Sequence, residues 1–498
     1  MLVSHTNVGK TTLLRTLVGK DVGEVMDAPD VTKVVSSYDL VCDDTGATLR
    51  LWDTPGFADS HRLAKRLQQR YRLIAWIVRE LWDRFINQRL WRSQRVVMDL
   101  KKRADVILYL ANAQERPVDA PYYQPELEVL RWVGKPVLAV INQGANLDAL
   151  EAAQRNETEW RNVFAQSNVI KKTLSLDSFT RCWLHEMVLV DEIGLVLPEN
   201  AHRNFLPIAD KFHAVHLDRF EQSIAALSAH LVGVAADKVE LPIESLGTLG
   251  KFWGWVKEKF SDDSEESASL PAVAMKALTQ RLLDGTKTVA DKLIQINRLS
   301  GASAGQIIEV AAERFASNGP VDEIASALGG GVVAGALTGL SVDLIAGGLT
   351  LGTGALVGAI LGGMGGAAIA KGYNIYTSQD KNIIGWSANA LTDAFTQSVM
   401  LYLAIAHFGR GQGEWLHKEA PTHWQKVVTD SINRYGDRMT DLWTRVTTEG
   451  NTQRSRDDCE ALMRNVVVEI LQRLYPEARS YLRGNDQNIT SGIATRLI

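Results

Sequence analysis

Cysteine is scarce in this chain: three residues in 498, Cys42, Cys182 and Cys459, with no Cys-x-x-Cys pair among them. That scarcity excludes a disulfide framework and a thiolate zinc cluster, and it suits a reducing, cytosol-facing setting. A cationic stretch followed by an apolar one is missing from the first residues, so the sequence gives no support for secretion. Charge of one sign is lacking too. With 54 Lys and Arg against 58 Asp and Glu the net charge is −4, which excludes a chain-wide nucleic-acid tail or an acidic disordered region. The length leaves room for roughly two to four domains with ample cores.

What is present begins almost at the first residue. Ser4-His5-Thr6-Asn7-Val8-Gly9-Lys10-Thr11-Thr12 matches the phosphate-loop pattern of Gly, four residues and Gly-Lys-Ser/Thr, except that Ser4 stands where the first glycine belongs. Such a loop wraps backbone N–H groups and a helix start around an anion, and its lysine neutralises the terminal phosphates. Lys10 is the candidate for that contact and for stabilising charge in catalysis; Thr11 is the candidate Mg²⁺ ligand. A phosphate loop leaves a strand and enters a helix. Leu13, Leu14 and Leu17 supply the helical face, but only Met1, Leu2 and Val3 precede the loop, so the natural first strand is expected to extend upstream of Met1.

Lys33 to Asp43 and Thr48 to Trp52 read as two strands around the turn Asp43-Asp44-Thr45-Gly46. The second ends in Asp53-Thr54-Pro55-Gly56. An aspartate at the carboxyl end of a strand can hold the water shell of Mg²⁺, and the Gly56 N–H can meet a γ-phosphate. Val106 to Asn112 and Pro136 to Asn142 read as buried strands flanking a helix over Glu126 to Val133, and Val169 to Leu176 as the last strand. The fold class is therefore an α/β, doubly wound, mostly parallel sheet.

With the loop and the Asp-Thr-Pro-Gly motif in place, the chain resembles the Era- and TrmE-like GTPases, which carry Asn-Val-Gly-Lys and Asp-Thr-Pro-Gly. The resemblance implies GTP and Mg²⁺ as cofactors, phosphate contacts at Asn7, Val8, Gly9, Lys10, Thr11 and Thr12, metal contacts at Thr11 and Asp53, and a switch threonine, both metal ligand and catalytic, at Thr32. Two departures stand out. Phe57 follows Gly56 where Ras-type enzymes place a water-orienting glutamine, so hydrolysis is expected to be slow. The family's Asn/Thr-Lys-x-Asp is replaced by Asn142-Gln143-Gly144-Ala145. Asn142 retains a loop-supporting role, while no carboxylate stands where the guanine edge would be read.

Between Gly56 and Val106 the chain is longer than such a domain needs. His61 to Arg103 carries thirteen Lys and Arg against three acids, with Trp76, Trp82 and Trp91 among them. Leu67, Tyr71, Ile74, Val78, Leu81 and Phe85 recur at helical spacing, giving an apolar and a cationic face. That pattern suits an anionic membrane surface, a helix docked on its own domain or, less well, RNA.

Charge nearly vanishes again from Ile324 to Ala370, where Asp343 is the single charged residue. The length fits two membrane passes, and glycines at 331, 335 and 339, then at 354, 358, 362 and 366, fall on one helical face where two backbones could meet closely. A hairpin packed inside the protein is the competing reading. Elsewhere the sequence reads as helical. His202, His213, His216 and His230 are expected to be surface or core residues and not ligands, and Ala390 to His407 a buried helix. Phe179-Thr180-Arg181-Cys182-Trp183 and His407-Phe408-Gly409-Arg410-Gly411 resemble a bacterial GTPase family in which an Era-like domain precedes a C-terminal domain of unknown function.

The expected organisation is a P-loop GTPase domain over residues 1–180 with a basic helical insertion at 58–104, a helical region over 181–323, a Gly/Ala-rich hairpin over 324–371 and a helical region over 372–498. The expected function is that of a slow, Mg²⁺-dependent GTP-binding switch at the cytoplasmic face of a bacterial inner membrane. Its expected partners are guanine nucleotide, anionic lipid and a second copy of itself, with nucleic acid less favoured. Two alternatives stay open: a soluble Era-like GTPase acting on RNA or ribosomes, and an interaction scaffold with a decayed nucleotide site.

Overall fold

The computed structural model describes residues 1–5, 8–18, 36–57, 60–68, 88–143, 150–177, 183–242, 270–298, 373–378, 381–406 and 422–482. Asn7, Thr32 and the hairpin expected over 324–371 lie outside them. The chain divides into two compact units, and the division falls between Asp218 and Arg219.

The first unit is built on a six-stranded sheet. Its strands are β1 (Leu2–Ser4), β2 (Ser36–Cys42), β3 (Thr48–Asp53), β4 (Ile107–Asn112), β5 (Val137–Gln143) and β6 (Ile170–Asp177). They are ordered β2-β3-β1-β4-β5-β6. Only β2 with β3 is antiparallel; β3, β1, β4, β5 and β6 run parallel. Strands β4 and β5 are continuous apolar runs because a parallel sheet covered on both faces has no wet side. Strand β2 instead alternates half-buried and exposed residues, as an edge strand does. Its turn is closed by Asp43 Oδ1, which accepts from the backbone N–H of Thr45 at 2.9 Å and of Ala47 at 2.8 Å. Gly46 takes φ +88°, a conformation that favours glycine.

The helices of this unit are α1 (Lys10–Val18), α2 (Ser60–Gln68), α3 (Gln88–Arg103), α4 (Tyr123–Val133), α5 (Leu150–Ala165), α6 (Trp183–Val196) and the first part of α7 (Glu199–Ala236). Helix α4 ends at Gly134, whose φ of +71° closes the last turn by its N–H to Leu130 O. The described parts of the basic insertion are α2 and α3, and both pack against α4. Leu63, Ala64, Leu67, Val96, Val97 and Leu100 all join the core beneath the sheet. For these helices the docked reading holds: their apolar faces are consumed by the domain and are not offered to lipid. Their cations stay outside, where Lys101 Nζ sits 3.9 Å from the Trp132 ring centroid and Arg103 lies over Trp52. Residues 69–87, with most of the expected apolar stripe, lie outside the described residues.

The second unit is largely helical, as expected, and adds a small sheet that the sequence reading did not find. Strands β7 (Lys238–Pro242), β8 (Tyr373–Ser378) and β9 (Lys381–Trp386) form an antiparallel sheet ordered β7-β9-β8. They escaped the sequence reading because each is short and polar-rich, and because β7 pairs with a strand far along the chain. Helices α8 (Leu270–Ile296), α9 (Ala388–Ala406), α10 (Thr422–Asn433), α11 (Gly436–Glu449) and α12 (Gln453–Leu474) complete it. Helix α9 is buried, as expected, with Trp443 of α11 donating to Thr392 Oγ1 at 3.1 Å. Among the described residues no helix is long and apolar enough to cross a membrane.

The histidines behave as core residues. His213 lies 3.1 Å from Asp191, His216 lies 3.4 Å from Glu186, and His230 faces Thr286 Oγ1 at 3.2 Å. Burial pushes the His230 imidazole down to about 4, so it packs neutral. No group that could hold a metal ion through three or more His, Cys, Asp or Glu side chains occurs among the described residues.

Candidate functional site

The strand order reverses at β1, which lies between β3 and β4, and ligands of open α/β sheets bind outside the carboxyl ends of the strands at such a point. Val8, Gly9, Lys10, Thr11, Asp53 and Asn142, all expected there, lie at that edge. Gly9 adopts φ +93° and its carbonyl accepts from Leu13 N at 2.9 Å, opening α1. A side chain at that position would be strained, which explains the glycine. Lys10 is 7% exposed and its Nζ donates to Ser4 Oγ at 3.0 Å and to His5 O at 3.2 Å. Ser4 is fully buried in β1. Its hydroxyl gives the lysine an acceptor that a glycine could not, so the departure from the motif leaves the loop closed around the ammonium.

Thr11 Oγ1 donates to Asp53 Oδ2 at 2.9 Å. The two expected metal ligands are thus in direct contact, and both would hold the cation. Among the described residues Asp53 Oδ1 is buried and has no hydrogen-bond partner. An orphaned carboxylate oxygen costs free energy unless something fills the place, and a hard cation prefers such oxygens. The residues present therefore fit Mg²⁺. Burial raises the Asp53 carboxyl from its ordinary range, and the nearby Lys10 ammonium and the Thr11 hydroxyl pull it back down.

Asn142, at the end of β5, donates through Nδ2 to Val8 O at 3.0 Å. The second motif is tied to β1 by Thr54 Oγ1, which donates to Leu2 O at 2.6 Å, and by Phe57 N, which donates to Ser4 O at 3.1 Å. The Phe57 side chain is fully buried in the core, so it cannot orient water. Gly56 lies between these two anchors in the chain. Thr12 is buried at the base of α1, where Thr16 Oγ1 donates to its carbonyl at 3.1 Å.

The sequence reading missed the layer behind the loop. His5 Nδ1 lies 2.9 Å from Glu126 Oε1, and the hydroxyl of Tyr109 donates to Glu126 Oε2 at 2.8 Å. The His5 ring stacks on Tyr122 with centroids 4.0 Å apart and planes 14° from parallel. In the sequence Glu126 stands out only as the first residue of the helix expected over Glu126 to Val133. An acid followed at once by Leu127, Val129 and Leu130 on a helix bound for the core was the available signal.

Comparison with known proteins agrees with this geometry. Residues 1–143 match the family described as 50S ribosome-binding GTPase, and residues 321–472 match a domain of unknown function, DUF3482. No curated protein matches the chain. Among solved structures, Era in complex with MgGDPNP and a segment of 16S ribosomal RNA is 23% identical over 40% of this chain, with a TM-score of 0.29, and the chain spans only 56% of that structure. An Aquifex aeolicus Era variant bound to GDP and aluminium fluoride is 17% identical, over 59% of this chain and 87% of that one, also with a TM-score of 0.29. Superpositions at that level carry no argument about partners. The loop and the Asp-Thr-Pro-Gly motif both fall within residues 1–143, so the N-terminal domain is a P-loop GTPase domain of the matching family, followed by a C-terminal domain of unknown function.

Proposed function

We propose that the N-terminal domain binds GTP with Mg²⁺ at the loop between β1 and α1 and hydrolyses its β–γ bond slowly. One observation carries this reading: Thr11 and Asp53 meet at the carboxyl edge of the sheet, beside the Lys10 ammonium, with a buried Asp53 oxygen that no described residue partners. In it Lys10 neutralises the phosphates, Thr11, Asp53 and Thr32 surround the cation, Asn7 to Thr12 and Gly56 offer backbone N–H groups, and Asn142 holds Val8. When bound, the cation supplies charge neutralisation between the β- and γ-phosphates. Asp53→Asn tests the assignment, because asparagine still accepts from Thr11 but carries no charge. GTP affinity in excess Mg²⁺ should fall about tenfold or more while affinity without Mg²⁺ stays close to wild type. Equal Mg²⁺ enhancement in both proteins would remove Asp53 from the site.

The scaffold alternative predicts a broken site, and the closed contacts among Lys10, Ser4, Thr11, Asp53 and Asn142 speak against it. For the partner, two readings compete. A switch that acts at a membrane rests on the Gly-rich segment 324–370 and on the domain division at residues 180, 323 and 371, both argued from sequence; anionic lipid and self-association belong to it. Fractionation of the full chain, with and without residues 324–370, should move it from membrane to soluble fraction, and a full chain found wholly soluble would sink the idea. The second reading, an RNA- or ribosome-acting GTPase, is favoured by the docked α2 and α3, whose apolar faces are spent and whose cations point outward, and by the name of the matching family.

A further inference from the structure

The phosphate loop is gripped from behind by a buried carboxylate that the GTPase reading does not use. Glu126 is fully buried on α4 and its two oxygens have separate partners, Tyr109 on β4 at 2.8 Å and His5 at 2.9 Å. His5 is the residue that follows Ser4 in the loop. Its own carbonyl accepts from Lys10 Nζ at 3.2 Å, so a single residue receives the carboxylate through its side chain and the ammonium through its backbone. A third element joins on the open side of the ring. Tyr122 stacks on His5 and donates its hydroxyl to Glu115 Oε2 at 2.6 Å, while its carbonyl accepts from Ser60 Oγ at 3.4 Å. Ser60 opens α2, a few residues past Gly56.

We propose that Glu126 and His5 are positioning residues for phosphate binding: Glu126 orients the His5 imidazole, and His5 in turn holds the loop carbonyl that sets the Lys10 ammonium. The inference rests on the GTP-binding reading and names the groups that give that site its shape. Neither side chain touches the nucleotide in this account. The physical argument is one of satisfaction. Burial raises the Glu126 carboxyl above its ordinary range, and the His5 and Tyr109 contacts offset part of that rise while satisfying both of its oxygens. The imidazole that faces it can then keep one ring orientation, further fixed by the stack on Tyr122. A loop residue with two independent anchors has little freedom to rotate its carbonyl, and preorganisation of this kind spares the ordering cost of binding. Without the carboxylate, His5 can turn to solvent and the Lys10 acceptor moves with it.

The test is a double-mutant cycle on the full chain, with labelled GTP titrated in Mg²⁺ and folding followed by thermal melting. Glu126→Leu and His5→Ala should each weaken GTP binding by about tenfold, and the double variant should be no weaker than the worse single variant, since both break one chain of contacts. Glu126→Gln, which keeps a hydrogen-bonding group for both Tyr109 and His5, should recover most of the affinity lost in Glu126→Leu. A purely structural role would lower the melting temperature without such a recovery in affinity. Additive losses, or wild-type affinity in folded His5→Ala and Glu126→Leu proteins that still lose GTP on Lys10→Ala, would overturn the positioning role alone. Failure of the wild type to bind any nucleotide would overturn it together with the GTP reading.

Discussion

Lys10→Ala is expected to weaken GTP binding by at least about a hundredfold while the domain stays folded. The ammonium is almost wholly buried, and a charge-assisted contact in such a place is worth roughly 2–5 kcal/mol, or about two decades or more of affinity. The loss is compound. Lys10 is the chief charge holding down the Asp53 carboxyl, which burial otherwise raises, so its removal also leaves the metal-side carboxylate easier to protonate. Ser4 Oγ and His5 O lose a donor but keep their contact with each other, the Ser4 hydroxyl donating to His5 O at 2.5 Å, so the cost to folding should stay near about 1–2 kcal/mol. Titration of labelled GTP and ATP into both proteins, with melting curves alongside, checks all of this. A dissociation constant within about threefold of wild type would mean that the loop does not hold phosphates.

ATP belongs in that titration because of what sequence and structure divide between them. Asn142 was legible as a loop support, and its 3.0 Å contact to Val8 O is in place. The missing base-reading carboxylate was equally legible, and residues 144–149 lie outside the described set, so guanine preference still rests on family likeness.

The sheet itself was readable because its signals are local. Two uninterrupted apolar runs gave β4 and β5, a turn of Asp, Asp, Thr and Gly gave the β2–β3 hairpin, and glycine before lysine gave the loop. What stayed hidden depends on pairing across long stretches of chain. Nothing local announces that Lys238–Pro242 will add to a hairpin at 373–386, or that Glu126 will face His5 instead of water. The insertion shows a third limit. Helical periodicity identified an apolar face over Leu67 to Phe85, but periodicity does not say whether such a face meets lipid or protein; for Leu67, its one described residue, the answer is the domain's own core, which Leu63, Val97 and Leu100 also join.

Trp160 carries the largest expected stability effect. It is fully buried on α5, stacked on Phe164 with centroids 5.1 Å apart and edge-on to Tyr123 at 5.4 Å. Its Nε1 donates to Asn112 O at 3.1 Å and to Glu115 O at 2.8 Å. Truncation to alanine should cost about 3–5 kcal/mol, the usual range for a large aromatic residue removed from a packed core. At about 2–4 °C per kcal/mol for a unit of this size, the melting temperature of the first unit should fall by roughly 10 °C or more. Trp160→Phe separates packing from hydrogen bonding: it keeps most of the ring volume, drops the N–H and should cost about 1–3 kcal/mol. The second variant also reaches the site. The Asn112 to Glu115 turn presents the carboxylate that accepts from Tyr122, and Tyr122 stacks on His5. If that turn loosens, GTP affinity should fall more in Trp160→Phe than in a surface control of equal stability such as Arg161→Ala. Melting of Trp160→Ala within about 3 °C of wild type would show that α5 does not anchor the end of β4, and the route from the core to the loop would lose its first link.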